Sequence, residues 1–179
     1  FVYSRSLIET AFDQLDSAFA NRPHQICYAV KANSNLAILD ILARCGAGFD
    51  IVSGGELARV VAAGCDPHRI IFSGVGKQVW EIDQALAAGI GCFNVESRSE
   101  LDKLAERAAV HGTIAPVSIR VNPDVDPGTH PYISTGLKEN KFGVNAVEAL
   151  AIYRLDSDNK SLKVIWLDCH IGSQIYDIQ

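Results

Sequence analysis

Short apolar runs alternate along this chain with segments in which apolar residues recur every three or four positions. The runs predict six strands, at 26–31, 47–52, 70–73, 91–95, 116–121 and 163–169. The segments between them predict amphipathic helices of roughly 10–14 residues, because apolar residues at that spacing share one helical face. A further helix precedes the first strand, with Ile8, Phe12, Leu15 and Phe19 on one face.

Polar residues before the helical segments and glycines after them predict where the helices begin and end. Three pairs have the spacing of a capping box: Ser6 with Glu9, Ser53 with Glu56, and Ser97 with Glu100. The second helix is predicted to be capped by Asn33 or Ser34, and the last one near Asn145. Three helices are predicted to stop at glycines, namely Gly46, Gly64 and Gly89.

The fold class follows from strands that are apolar throughout and joined by helices. Such strands are buried on both faces, which is typical of parallel βα units covered by helices. About six such units are visible, so the chain is predicted to be an α/β protein. A doubly wound sheet and a (β/α)₈ barrel both fit this pattern.

Polar residues at the carboxyl ends of the predicted strands favour the barrel. Nearly every strand ends in one, and the set is Lys31, Asp50, Ser73, Asn94 with Glu96, Arg120 with Asn122, and His170. In a barrel these ends converge at one mouth, whereas an open sheet concentrates its ligand at one switch point. A closed barrel needs about 250 residues, so we expect an incomplete TIM barrel.

Lys31 is the first candidate for chemistry because it ends the apolar run that starts at Cys27. An ammonium held where it is poorly solvated has a lowered pKa, which favours the neutral, nucleophilic amine of a Schiff-base lysine. The alternative is an ordinary lysine that lies along apolar surface with its charge in water.

Composition narrows the class of protein. The formal net charge is −5 and no basic stripe is present, which disfavours nucleic acid as a partner. No apolar run is long enough to span a membrane. The five cysteines are widely spaced without a Cys-x-x-Cys pair, which favours buried thiols in the reducing cytoplasm over disulfides or a zinc site. The chain lacks methionine and opens on Phe1-Val2-Tyr3, so we expect a piece of a longer protein.

A series of motifs runs through the whole chain. They are Tyr28-Ala-Val-Lys31-Ala-Asn33, Phe49-Asp50-Ile-Val-Ser53-Gly-Gly-Glu56, Phe72-Ser-Gly-Val-Gly-Lys77, Phe93-Asn-Val-Glu96-Ser97, Arg120-Val-Asn-Pro-Asp124, Gly128-Thr-His-Pro-Tyr-Ile-Ser-Thr-Gly136, Lys141-Phe-Gly143 and Asp168-Cys-His170-Ile-Gly-Ser173-Gln174. In this order the series resembles the diaminopimelate decarboxylase family, a fold-type III group of pyridoxal phosphate enzymes similar to alanine racemase. The resemblance implies a pyridoxal phosphate-binding barrel followed by a C-terminal β domain. Residues 1–179 would be part of that barrel, with the β domain absent from this chain.

The resemblance also implies roles for individual residues. Lys31 would carry the cofactor covalently, and His170 would stack on its pyridine ring; these two are the catalytic candidates. Arg120 would lie near the phenolic oxygen of the cofactor. Gly172 and Ser173 would bind its phosphate, since a glycine beside backbone N–H groups suits an anion.

Two acidic residues in the matching motifs have alternative roles. Asp50 would line the site beside the lysine and the histidine, acting on the cofactor directly or by orienting a neighbouring group. Glu56 matches the family pattern but has the position of a capping residue for the helix after Ser53.

The stretch 122–144 has no periodicity and is longer than an ordinary connection. The family resemblance implies a lid that excludes water from the substrate, with His130, Tyr132, Ser134 and Thr135 as candidates. The alternative is a surface loop with no catalytic duty.

The reaction implied by the resemblance is decarboxylation of meso-2,6-diaminopimelate at its D centre to L-lysine and CO₂, the last step of lysine biosynthesis. The full-length protein is expected to be a cytoplasmic homodimer, and the 179 residues alone to be inactive and weak in cofactor binding.

Three alternatives stay open. Ornithine and arginine decarboxylases share the lysine segment, although 128–136 favours diaminopimelate. An amino-acid racemase of this type carries a tyrosine base four residues after its lysine, where this chain has Asn35. A non-catalytic barrel that binds pyridoxal phosphate would lack the long loop.

Overall fold

The computed structural model describes residues 1–123, 142–155 and 159–172. They form two compact units, which are described separately. The first comprises Phe1–Ser73 and Lys77–Cys92, and the second comprises Gly74–Gly76 and the described residues from Phe93 onward.

The first unit alternates helices with short parallel strands. Its strands are β1 (Cys27–Ala29), β2 (Gly48–Ile51) and β3 (Ile70–Phe72), and its helices are α1 (Arg5–Phe19), α2 (Leu36–Arg44), α3 (Gly54–Ala62) and α4 (Val79–Ala88). Strand β2 pairs in parallel with both β1 and β3. Two short 3₁₀ helices, Val30–Ala32 and Pro67–Arg69, follow β1 and precede β3.

The second unit continues the same alternation. Its strands are β4 (Cys92–Val95), which belongs to this unit from Phe93 onward, β5 (Ala115–Arg120) and β6 (Leu162–Asp168). Its helices are α5 (Arg98–Val110) and α6 (Ala146–Leu155). Strand β5 pairs in parallel with β4 and with β6, and the β5–β6 register shifts between Val117 and Ser118. The parallel βα units of both parts confirm the predicted α/β class.

The core of each unit explains the apolar runs. Phe49, Ile51, Ile70 and Phe72 are fully buried in the first unit, and Phe93 and Ile119 are buried in the second. Because these strands lie under amphipathic helices, apolar side chains are removed from water, which is the main favourable contribution to folding. Helix α1 differs from the other α-helices of the first unit because none of its residues is buried.

Several predicted helix starts are confirmed. The Ser53 and Ser97 hydroxyls accept the N–H groups of Glu56 and Glu100 at 3.2 and 3.3 Å, and Asn145 accepts from Glu148 at 2.9 Å. A capping box that the sequence reasoning missed lies at the start of α4, where Gln78 and Glu81 cap reciprocally.

Two predicted caps were wrong by one or two residues. The side chain of Ser4, and not that of Ser6, caps α1 by accepting the N–H of Leu7, while Glu9 pairs with Arg5. Asn35 caps α2. Serines and asparagines close together in sequence can each act as a cap, so the choice depends on where the backbone turns.

In the described residues, no helix is both long and apolar enough to cross a membrane.

Candidate active site

Strand register places the first candidate residues of the first unit at one edge. Ala29 in β1 is opposite Asp50 in β2, and Asp50 is opposite Ile71 in β3. Lys31 and Ser73 follow these strands by one or two residues. Ser73 donates its hydroxyl hydrogen to Oδ1 of the half-buried Asp50 carboxylate. The hydrogen bond fixes the carboxylate at the end of its strand.

The local structure at Lys31 differs from the prediction. Strand β1 ends at Ala29, and Lys31 lies inside the following 3₁₀ helix rather than at a strand end. Its neighbour Val30 is fully buried, whereas Lys31 is exposed. The poor solvation predicted for this amine is therefore not provided by the described residues. Burying Val30 directs the next residue of the tight turn to solvent.

Asn33 and Asn35 have structural roles after the lysine. Asn33 Oδ1 accepts the N–H of Asn35, and Asn35 Oδ1 accepts the N–H of Ala37 at 2.9 Å. Tyr28 donates its hydroxyl to the Asn33 carbonyl at 3.3 Å, and burial raises the pKa of this phenol. Position 35, where a racemase of this type carries its base, is thus a helix cap in this chain.

The second unit assembles a charged cluster around Arg120, the last residue of β5. Its Nη1 lies 3.2 Å from both carboxylate oxygens of Glu96, and its Nε lies 3.7 Å from Asp168 Oδ2. The guanidinium carbon stands 5.1 Å from the centre of the Phe142 ring, in a cation–π contact. Arg120 is opposite Asp168 in the β5–β6 register.

His170 and Gly172 follow β6 in the same unit. His170 is exposed, two residues after Asp168, and Gly172 is half-buried with a φ of 148°. Ser173, the predicted phosphate ligand, and the lid candidates His130, Tyr132, Ser134 and Thr135 lie outside the described residues.

Glu56 has the structural role that the sequence left as one of two possibilities. Its carboxylate accepts the N–H of Val52 at 2.7 Å, and its own N–H donates to the Ser53 hydroxyl. Both contacts belong to the start of α3, although the carboxylate accepts from Val52, one residue before the N-cap Ser53, and not from Ser53 itself as in a capping box.

Comparison with known proteins decides the family. The family model described as "Pyridoxal-dependent decarboxylase, pyridoxal binding domain" matches residues 5–179. The chain belongs to this family. Proteins named diaminopimelate decarboxylase from Haemophilus influenzae and Pseudomonas aeruginosa are 56% and 57% identical over 179 residues. Those residues are 100% of this chain and 43% of each relative, so the chain spans less than half their length.

A solved structure agrees in fold. Diaminopimelate decarboxylase from Helicobacter pylori complexed with L-lysine superposes with a TM-score of 0.95 at 49% identity. The match covers 98% of this chain and 44% of that chain. It supports the predicted partial barrel, since the parallel βα units correspond to under half of a larger decarboxylase.

The described residues fit pyridoxal phosphate, the cofactor of this family. The cofactor combines an aldehyde, a pyridine ring and anionic oxygens. Taken separately, the first unit offers an exposed amine at Lys31, and the second offers an imidazole at His170 and a guanidinium at Arg120. Among the described residues, acidic groups meet Arg120 through Nη1 and Nε only. This leaves the two hydrogens of Nη2 for an anionic oxygen.

Sequence reasoning gave no role to three residues that the structure ties to the candidates. Ser73 binds Asp50, while Glu96 and Phe142 contact Arg120. Ser73 and Glu96 were visible as polar residues at strand ends. Phe142 carried no such signal, because it is apolar and lies within the stretch 122–144, which has no periodicity.

Proposed function

We propose that the protein containing this chain is a pyridoxal phosphate-dependent decarboxylase that converts meso-2,6-diaminopimelate to L-lysine and CO₂. The observation that carries the proposal is the identity of 56% over the whole chain with a relative of that name. The L-lysine in the Helicobacter pylori structure adds support, since L-lysine is the product of this reaction. Residues 1–179 are proposed to form part of the cofactor-binding barrel.

Each candidate residue of the chain is proposed to bind or orient one part of the cofactor. The amine of Lys31 would hold the cofactor covalently at its aldehyde carbon. His170 would stack on the pyridine ring of the cofactor, and Arg120 would bind one of its anionic oxygens. Asp50, fixed by Ser73, would orient a neighbouring cationic or imidazole group. When bound, the cofactor supplies the electron sink that lets the carboxylate leave as CO₂.

Water exclusion and phosphate binding are assigned mainly to residues outside the described ranges. Gly172 and Ser173 are proposed to hold the cofactor phosphate. His130, Tyr132, Ser134 and Thr135 are proposed to close over the substrate, so that the carbon that loses CO₂ is protonated under control.

The proposal extends to the setting of the reaction. We infer a homodimer and a cytoplasmic location, and place the reaction at the last step of lysine biosynthesis. The five cysteines support the location, since all of them are free thiols in the structure.

The decisive experiment measures CO₂ and lysine released by the full-length protein. meso-Diaminopimelate, ornithine and arginine are compared at equal concentrations, with pyridoxal phosphate added. We expect turnover of meso-diaminopimelate to exceed that of the other two by at least about 100-fold. A site that hydrogen-bonds its own substrate is left with unpaired polar groups when an analogue lacks the matching group, and this disfavours the analogue. Preference for ornithine or arginine, or conversion between D and L isomers without CO₂, would refute the substrate or the reaction.

Lys31→Ala tests the proposed nucleophile. We expect it to abolish turnover and the absorption band of lysine-bound cofactor, because alanine has no amine to attach the cofactor. Lys103→Ala is the matched control, since Lys103 is an exposed lysine on α5. A Lys31→Ala protein that keeps both activity and absorption would contradict the assignment.

A further inference from the structure

Glu96 is the most deeply buried acidic side chain in contact with Arg120. Its side chain is 1% exposed, against 29% for Asp168, the other acid beside this guanidinium. The distances follow the same order, at 3.2 Å for Glu96 and 3.7 Å for Asp168. Charge interactions strengthen as water is excluded, so Glu96 has the stronger hold on Arg120.

Strand register explains how these two residues meet. In the β4–β5 pair, Asn94 is opposite Ser118 and Val95 is opposite Ile119. Arg120 is the last residue of β5, and Glu96 is the first residue after β4. Residues two apart on a strand point to the same face. The acid and the base therefore lie side by side at the carboxyl ends of neighbouring strands.

The Glu96 carboxylate is itself held by backbone. Its Oε1 accepts the N–H of Gly74 at 3.1 Å. The N–H of Glu96 donates to Glu100 Oε2 at 2.9 Å, at the start of α5. Because both the main chain and the side chain of Glu96 are fixed, the carboxylate offers Arg120 a set position rather than a mobile charge.

The contact uses one nitrogen of the guanidinium. Nη1 of Arg120 lies at 3.2 Å from both oxygens of Glu96, in contrast to a fork in which two nitrogens bind two oxygens. Phe142 covers a face of the same group. Within the described residues, this arrangement fixes the plane of the guanidinium and leaves Nη2 available to a ligand.

We propose that Glu96 is a positioning residue that fixes Arg120 so that its Nη2 donors bind an anionic oxygen of the cofactor. This proposal rests on the proposed function in one respect, the contact of Arg120 with pyridoxal phosphate. It assigns Glu96 no contact with substrate or cofactor.

The test uses the full-length protein and a double-mutant cycle of Glu96→Gln with Arg120→Lys. The readouts are the Kd of the apoprotein for pyridoxal phosphate and the pH at which the absorption of the bound cofactor changes. Glu96→Gln keeps an oxygen for Gly74 but removes the charge that holds Arg120. We expect this substitution to raise the Kd about tenfold, which corresponds to the loss of one charge-assisted hydrogen bond. We also expect a shift in the pH at which the absorption of the bound cofactor changes.

The cycle separates positioning from a purely structural role. If Glu96 acts through Arg120, Glu96→Gln changes Kd by less than about twofold when Arg120→Lys is already present, because the two sites are coupled. Asp168→Asn is the matched control, and its effect on Kd is expected to be smaller than that of Glu96→Gln. An equal effect of Glu96→Gln in both backgrounds, or lower thermal stability with unchanged Kd and absorption, would overturn the proposal.

Glu96→Asp covers the case in which the glutamine variant does not fold. It keeps the charge but withdraws it from Arg120 by one methylene, so an increase in Kd is expected, and an unchanged Kd would overturn the proposal. Wild-type protein that binds the cofactor but does not decarboxylate meso-diaminopimelate would refute the proposed function only. The readouts for Glu96 are cofactor binding and absorption, which do not depend on turnover.

Discussion

Gly143→Ala is expected to destabilise the protein through the backbone of Arg120. Gly143 has a φ of 78°, and a Cβ there would stand 2.7 Å from the Arg120 carbonyl oxygen and 3.2 Å from Arg120 Cγ. The same carbonyl accepts the N–H of Val144 at 2.9 Å. The added methyl group must push apart two segments that are hydrogen-bonded at the base of the charged cluster.

The magnitude has two parts. A left-handed backbone costs an L-residue about 1–2 kcal/mol, and forcing a methyl group into a closely packed place costs about 1–3 kcal/mol. We therefore expect a total near 3 kcal/mol, within the range that the two costs span together. Gly64→Ala is the matched control, because Gly64 has a φ of 83° and a Cβ added there would meet no atom within 4 Å. It should cost about 1 kcal/mol.

Urea denaturation of the full-length apoprotein measures the difference. Gly76→Ala sets the baseline, since Gly76 has neither a left-handed φ nor an atom within 4 Å of an added Cβ. All three variants restrict the unfolded chain alike, so that contribution cancels. Gly143→Ala should lower the urea midpoint most and also weaken cofactor binding. If Gly143→Ala is no more destabilising than Gly64→Ala, the close approach to Arg120 does not carry the energy assigned to it.

Two further predictions concern the first unit. The Glu81 carboxylate accepts the N–H groups of Gly54 and Gln78, at 2.7 and 2.9 Å, and Glu81→Ala removes this acceptor. We expect the free energy of unfolding, measured by urea denaturation, to fall by about 3 kcal/mol. A loss below about 1 kcal/mol would contradict the shared cap. The His24 ring bonds the Arg22 carbonyl at 2.8 Å and Asp16 at 3.0 Å, which raises its pKa above the usual 6.5. The stabilisation from protonated His24 is thus fully present below pH 6.5 and is lost as the pH rises through the raised pKa. An NMR titration of the His24 ring should show a lower pKa in the Asp16→Asn variant than in the wild type.

The elements of the fold were predictable from sequence because they depend on local patterns. Apolar runs such as those around Phe49 and Phe72 mark strands that are buried on both faces, and all six predicted strands are observed. Helix caps were less certain. Several residues near a helix start can accept the same N–H groups, as the choice of Ser4 over Ser6 illustrates.

The sequence also identified the residue types at the strand ends, together with their resemblance to a decarboxylase family. It could not determine their surroundings. Strand β1 ends at Ala29, so Lys31 lies in a 3₁₀ turn and is exposed, although the apolar run in the sequence continues to it. Burial depends on which segments cover a residue, and that information is spread over distant parts of the chain.

By itself, the sequence determined an α/β chain of parallel βα units, a row of candidate groups from Lys31 to His170, and membership of a pyridoxal phosphate-dependent family. Only the tertiary structure decided that Glu96, rather than Asp168, has the stronger hold on Arg120. The physical reason is that register and burial set both the distance between charges and the amount of water between them. Those two quantities determine the strength of an ion pair, and neither can be read from the order of residues.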